Sequence, residues 1–127
     1  MKTIKIIIEA SKNAFGAYAE SDKYPITAMG STVRKLKRSV LESIEINKEL
    51  GNIPNEKFKV IFKYDTQSLL AYYNGIFTKA GLERITGINQ KQIQHYSTGH
   101  RKPRPAQVKK IKNALHELGE ELLAIDL

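Results

Sequence analysis

A chain of 127 residues is long enough for one domain or two very small ones. Its net charge of +8 favours acidic partners, and the lack of cysteine excludes a disulfide framework and a thiolate metal site. No apolar run approaches the ~20 residues of a membrane span, and Met1-Lys2 lacks the apolar core of a secretory leader, so a cytoplasmic protein is expected.

The first half alternates in two-residue steps. Ile4, Ile6 and Ile8 share one face of a strand over Lys2 to Glu9, with Thr3, Lys5, Ile7 and Glu9 on the other. Ser11 to Ala14 reads as a turn. Phe15 to Ser21 alternates again, with Phe15, Ala17 and Ala19 opposite Gly16, Tyr18 and Glu20. Ser21-Asp22-Lys23 is another turn, and a third strand is expected from Pro25 through Met29, ending at Gly30. Ser31 or Thr32 can cap a helix whose Val33, Leu36, Val40 and Ile44 recur at three- and four-residue steps. Gly51 and Pro54 close it. Phe58, Val60, Phe62 and Tyr64 then alternate with Lys57, Lys59, Ile61 and Lys63 as a fourth strand. Residues 1–64 therefore predict an α+β layer, one helix on a four-stranded, antiparallel-rich sheet.

The second half, 65–127, reads as all helical. Asp65 or Thr66 caps a short helix carrying Leu69, Leu70 and Tyr73, and Asn74-Gly75 ends it. Thr78 caps the next, with Leu82 and Ile85 inward. Gly87 breaks that helix, Ile88 plugs the turn and Asn89 caps a further helix with Ile93 and Tyr96 inward. Pro105 opens a later helix with Val108, Ile111, Leu115 and Leu118 as its stripe; Gly119 is expected to interrupt it. Leu118, Leu122, Leu123 and Ile125 are many apolar residues for a chain end and predict a dimer contact.

Two short helices joined by a glycine turn, the second rich in amides and cations, make a helix-turn-helix. Gln90, Lys91, Gln94 and His95 fall on its exposed side, where amide and basic groups pair with base edges. Thr78, Lys79, Asn89, His100, Arg101, Lys102 and Arg104 flank that helix as phosphate contacts. Charge supports this reading. Residues 78–112 hold nine Lys/Arg against one acid, Glu83, whereas residues 113–127 hold four acids and no Lys or Arg. A merely solvated surface would mix the signs more evenly.

Leu82, Gly87, Ile88, Gln90, Ile93, Tyr96 and the G-x-R-K-P-R-P tail together resemble the lambda-repressor/Cro (XRE-type) class of helix-turn-helix domains. The segments F-G-A-Y-A-E (Phe15 to Glu20) and I-T-A-M-G-S-T (Ile26 to Thr32), with the amphipathic helix after them, resemble the N-terminal domain of HicB antitoxins, a truncated RNase H-like fold. HicB proteins often place an XRE-type domain behind it, in the order seen here. The resemblance implies an antitoxin that neutralises a small, basic ribonuclease toxin through residues 1–64 and represses its own operon as a dimer or higher even oligomer through residues 65–127. Tyr18, Glu20 and Asp22 are the implied toxin-facing patch. Against that, residues 1–63 carry twelve Lys/Arg and seven acids, a basic rather than acidic balance.

Catalysis is not expected. A two-metal nuclease needs converging carboxylates, and Glu9, Glu20, Asp22 and Glu42 form no compact group in the sequence. His95, His100 and His116 lack a Cys or paired carboxylate at ligand spacing, so no metal site and no cofactor are expected. The alternatives to the antitoxin are a stand-alone XRE-type regulator whose N-terminal domain serves another partner, and an RNA-binding protein or nuclease.

Overall fold

The computed structural model describes residues 1–10 and 13–127. The chain forms two compact units, Met1–Ser68 and Leu69–Leu127. The turn expected at Ser11 to Ala14 falls partly on Ser11 and Lys12, which lie outside the described residues.

In the first unit, strands β1 (Lys2–Ala10), β2 (Phe15–Ala19), β3 (Thr27–Gly30) and β4 (Phe58–Tyr64) form one mixed sheet in the order β3-β2-β1-β4. β1 pairs antiparallel with β2, placing Ile8 opposite Ala17, and β2 pairs antiparallel with β3. β4 is parallel to β1, with Ile4 opposite Val60 and Ile8 opposite Tyr64. Helix α1 (Val33–Glu49) makes the crossover that a parallel return requires. Ile4, Ile6 and Ile8 are fully buried against Leu36, Val40 and Ile44 of α1. Each of these side chains contributes roughly 1.5–3 kcal/mol by leaving water.

Thr32 caps α1, its Oγ1 accepting from the Lys35 N–H at 3.1 Å. Gly30 is required by contact. A Cβ there would lie 2.6 Å from the Leu36 nitrogen, so only glycine lets the end of β3 approach α1 this closely. The third strand starts two residues later than the expected Pro25, because Pro25 has no N–H to donate to a ladder. Beyond β4, Asp65 Oδ2 accepts from both the N–H and the hydroxyl of Ser68, and Ser68 Oγ accepts from the Ala10 N–H at 2.9 Å. Those bonds carry the first unit four residues past the expected boundary at residue 64.

The second unit starts within α2 (Thr66–Tyr72) and continues through a 3₁₀ turn (Tyr73–Gly75) to α3 (Lys79–Thr86), α4 (Gln90–Thr98) and α5 (Pro105–Leu123). Its core is Leu70, Leu82, Ile88, Ile93, Tyr96 and Ile111. The expected break at Gly119 does not occur: α5 runs through it without a left-handed residue. A glycine inside a helix costs only about 1 kcal/mol, and helix-forming Glu120 to Leu123 follow it. Lys109, Lys110 and Lys112 lie in the first half of α5 and Glu117, Glu120 and Glu121 in the second, the reverse of what the helix dipole favours. Among the described residues, no helix is long and apolar enough to cross a membrane.

Candidate nucleic-acid interface

The approach to α4 is built from local chemistry. Thr78 Oγ1 accepts from the Gly81 N–H at 2.9 Å and starts α3. Gly87 takes the left-handed conformation at φ 75°, and its N–H donates to the Glu83 carbonyl at 2.8 Å. Thr86 Oγ1 donates to the Leu82 carbonyl and accepts from the Ile88 N–H. These two hydrogen bonds pin the turn while Ile88 fills the core beneath it. Asn89 Oδ1 then accepts from the Lys91 N–H at 2.8 Å and opens α4.

On α4, Ile93 and Tyr96 are 2% exposed and fix the buried side. Gln90, Lys91 and Gln94 are exposed. Three- and four-residue spacing places them on one face, with His95 at its flank. The structure therefore brings the four base-reading candidates onto one side of one helix.

His95 differs from the other three. It is half-buried, and its Nδ1 is out of contact with solvent and has no hydrogen-bond partner among the described residues. Its ring lies 4.7 Å from that of His100. Loss of water around the ring lowers its pKa below the usual 6.5, and the neighbouring His100, Arg101 and Lys91 lower it further. The His95 carbonyl accepts from the Arg101 N–H at 3.2 Å, which folds the basic loop back onto α4.

The phosphate candidates separate. Thr78 and Lys79 sit at the start of α3, where Lys79 Nζ is held 3.4 Å from Asn74 Oδ1. Asn89 is engaged as a cap. His100, Arg101, Lys102 and Arg104 are exposed in the loop before α5. Arg101, Lys102 and Arg104 line a cleft of roughly 460 Å³ with Gln92, Tyr96 and Gln107. They converge beside the Gln92 flank of α4 rather than beside Gln90 and Gln94. Gln92 Nε2 donates to the Tyr96 hydroxyl at 2.9 Å, which holds that wall. Sequence reasoning missed Gln107; its place in the first turn of a proline-started helix, directly after the basic loop, was the available signal.

Elsewhere, Tyr18 is exposed on the open face of the sheet and donates to Glu9 Oε1 at 3.3 Å. Its phenol pKa is raised, first by loss of water, then by the charge of Glu9 and the bond to it. Glu20 and Asp22 follow, both exposed, at the end of β2 and in the turn after it. Leu118 is half-buried, whereas Leu122, Leu123 and Ile125 are exposed, Leu123 at 89%. No group of three or more His, Cys, Asp or Glu side chains positioned for a metal occurs among the described residues. Comparison with family models, curated proteins and solved structures finds no match.

Proposed function

We propose that this chain is a cytoplasmic antitoxin of the HicB kind, which reads its operator through α4 and masks a small ribonuclease toxin with its N-terminal unit. The observation that carries the DNA half is the exposed row Gln90, Lys91 and Gln94 on a helix anchored by Ile93 and Tyr96, inside a segment of net +8. Glutamine pairs with adenine and lysine with guanine acceptors. Arg101, Lys102 and Arg104, with Thr78 and Lys79, bind phosphates and fix the register. Leu118, Leu122, Leu123 and Ile125 join two copies across a palindromic site. Tyr18, Glu20 and Asp22 face the toxin. The protein is not an enzyme and uses no cofactor.

Support for the antitoxin half is the order of parts, a β-β-β-α-β sheet followed by helix-turn-helix segments. The excess of cations in residues 1–63 favours a second reading, a stand-alone regulator whose N-terminal unit serves an acidic partner. Two measurements test the proposal. The full chain is titrated on its own promoter and on random DNA: Gln90→Ala and Gln94→Ala each cost about 1–3 kcal/mol at the promoter and little elsewhere. Unchanged discrimination in the double variant would sink the assignment of α4. The full chain is also co-expressed with the protein encoded beside it; no complex would leave the regulator reading.

A further inference from the structure

Helix α1 covers one face of the N-terminal sheet. The other face is assembled by the strand registers. Thr27, Tyr18, Ile7 and Lys63 form one row across all four strands, Lys5 lies beside Ile61, and Thr3 beside Lys59. Lys5, Lys59, Lys63 and Tyr18 are exposed, while Ile7 and Ile61 are half-buried between them. Lys59 and Lys63 are about 13 Å apart along β4, and Lys5 projects from β1 at a level between them. Among the described residues the ion pairs are Lys2–Glu56 and Lys48–Glu45, so none of these three cations is paired. Of the acids near this face, Glu9 stands on β1 and accepts from Tyr18, Glu20 stands opposite Lys5 with its N–H donating to the Lys5 carbonyl, and Asp65 after β4 acts on Tyr18. The cations therefore predominate only toward the start of β4, around Lys59 and Lys5.

Edge protection does not account for the pattern. β4 is an edge strand, and lysines there discourage pairing with another sheet. Lys5 sits on β1, an interior strand with no edge to guard. Nor does a solvated face need the apolar floor of Ile7 and Ile61. Cations spaced over an apolar floor, with an open aromatic ring at its margin, combine the two features that hold single-stranded nucleic acid: charge for the backbone and flat surfaces for bases. Four strands about 4.8 Å apart span ~14 Å, wider than the ~12 Å major groove, so the face suits splayed bases rather than a duplex. The outward hydroxyls of Thr3 and Thr27 offer partners to a ribose 2′-OH.

We propose that the open β1–β4 face binds single-stranded RNA, with Lys5, Lys59 and Lys63 on phosphates, Ile7 and Ile61 beneath the bases and the Tyr18 ring stacking at the margin. This site is separate from the DNA contacts proposed for α4 and shares Tyr18 with the patch proposed to face the toxin. The test uses the full chain and a fluorescently labelled 12-nucleotide RNA of mixed sequence, read by anisotropy at several salt concentrations. The variant is K5E/K59E/K63E, and a circular-dichroism melt confirms its fold. Expected are a loss of RNA affinity of tenfold or more and a salt slope shallower by about 2, three phosphate contacts at ~0.7 each. Promoter affinity stays unchanged, whereas R101A/K102A weakens promoter binding and leaves the lysine-dependent part of RNA binding intact. Wild-type RNA affinity in the triple-lysine variant would overturn the proposal. So would poly-glutamate binding with the same lysine dependence when RNA shows none, which would assign the face to an acidic protein. If the variant melts early, photocrosslinking of the wild-type chain decides: crosslinks in the peptides of β1, β2 and β4 support the site, and crosslinks confined to residues 78–112 refute it.

Discussion

His95 is held in a place that disfavours its charged form. Its Nδ1 has no partner among the described residues, and the nearby His100, Arg101 and Lys91 add positive charge. The unfolded chain takes up a proton near the ordinary value of 6.5, whereas the folded chain does so only at lower pH. As pH falls through 6.5, the unfolded state therefore binds more protons, and stability declines toward the lowered folded pKa. The urea midpoint should be lower at pH 5.5 than at pH 7.5, and His95→Gln should reduce that difference. An unchanged difference would show that other groups carry it. The loop cations make a separate prediction. Arg101 and Lys102 are exposed and form no ion pair among the described residues. If each holds one duplex phosphate, Arg101→Ala or Lys102→Ala should weaken promoter and random DNA alike and flatten the salt slope by about 0.9. Titration at four salt concentrations measures this directly.

The join between β3 and α1 is the tightest test at the level of elements. An alanine methyl at Gly30 would meet the Leu36 nitrogen at 2.6 Å and its Cα at 2.9 Å, both backbone atoms that cannot rotate away. Gly30→Ala should destabilise the first unit by about 1–3 kcal/mol, as overpacking does. Gly16, with nothing within 4 Å of an added Cβ, is the control and should tolerate alanine within about 0.5 kcal/mol. Thermal melts of the two variants decide it. The same region shows what the residues made legible. Alternation of Ile4, Ile6 and Ile8 revealed β1, and Thr32, Thr78 and Asn89 stood where caps form. Gln90, Lys91 and Gln94 could be assigned to one face because helical spacing alone determines that. The parallel pairing of β4 with β1 was not legible, since alternation gives a strand's faces but not its neighbour or direction. The passage of α5 through Gly119 was hidden for another reason: glycine ends a helix only where a left-handed residue is needed, and sequence does not show that need. The basic cleft also escaped, because Gln92 and Gln107 come to line one cleft only once the loop folds back onto α4.

For the whole molecule, association gives the test. Leu122, Leu123 and Ile125 leave an apolar end on α5 and the residues after it. Light scattering of L122E/L123E should give the 14.4 kDa of one chain where the wild type gives twice that, with a matching loss of promoter affinity. A wild type already at 14.4 kDa would refute the dimer. The reversed charge order of α5 reaches further than that contact. With its cations toward the start and its acids toward the end, the helix carries a side-chain dipole that points the same way as the one its backbone creates. Within a Debye length of ~8 Å at physiological salt, a polyanion exerts a torque on it that turns the basic end forward. The last few ångströms of diffusion are thus spent aligning rather than searching. Added salt should slow arrival much more than it hastens departure.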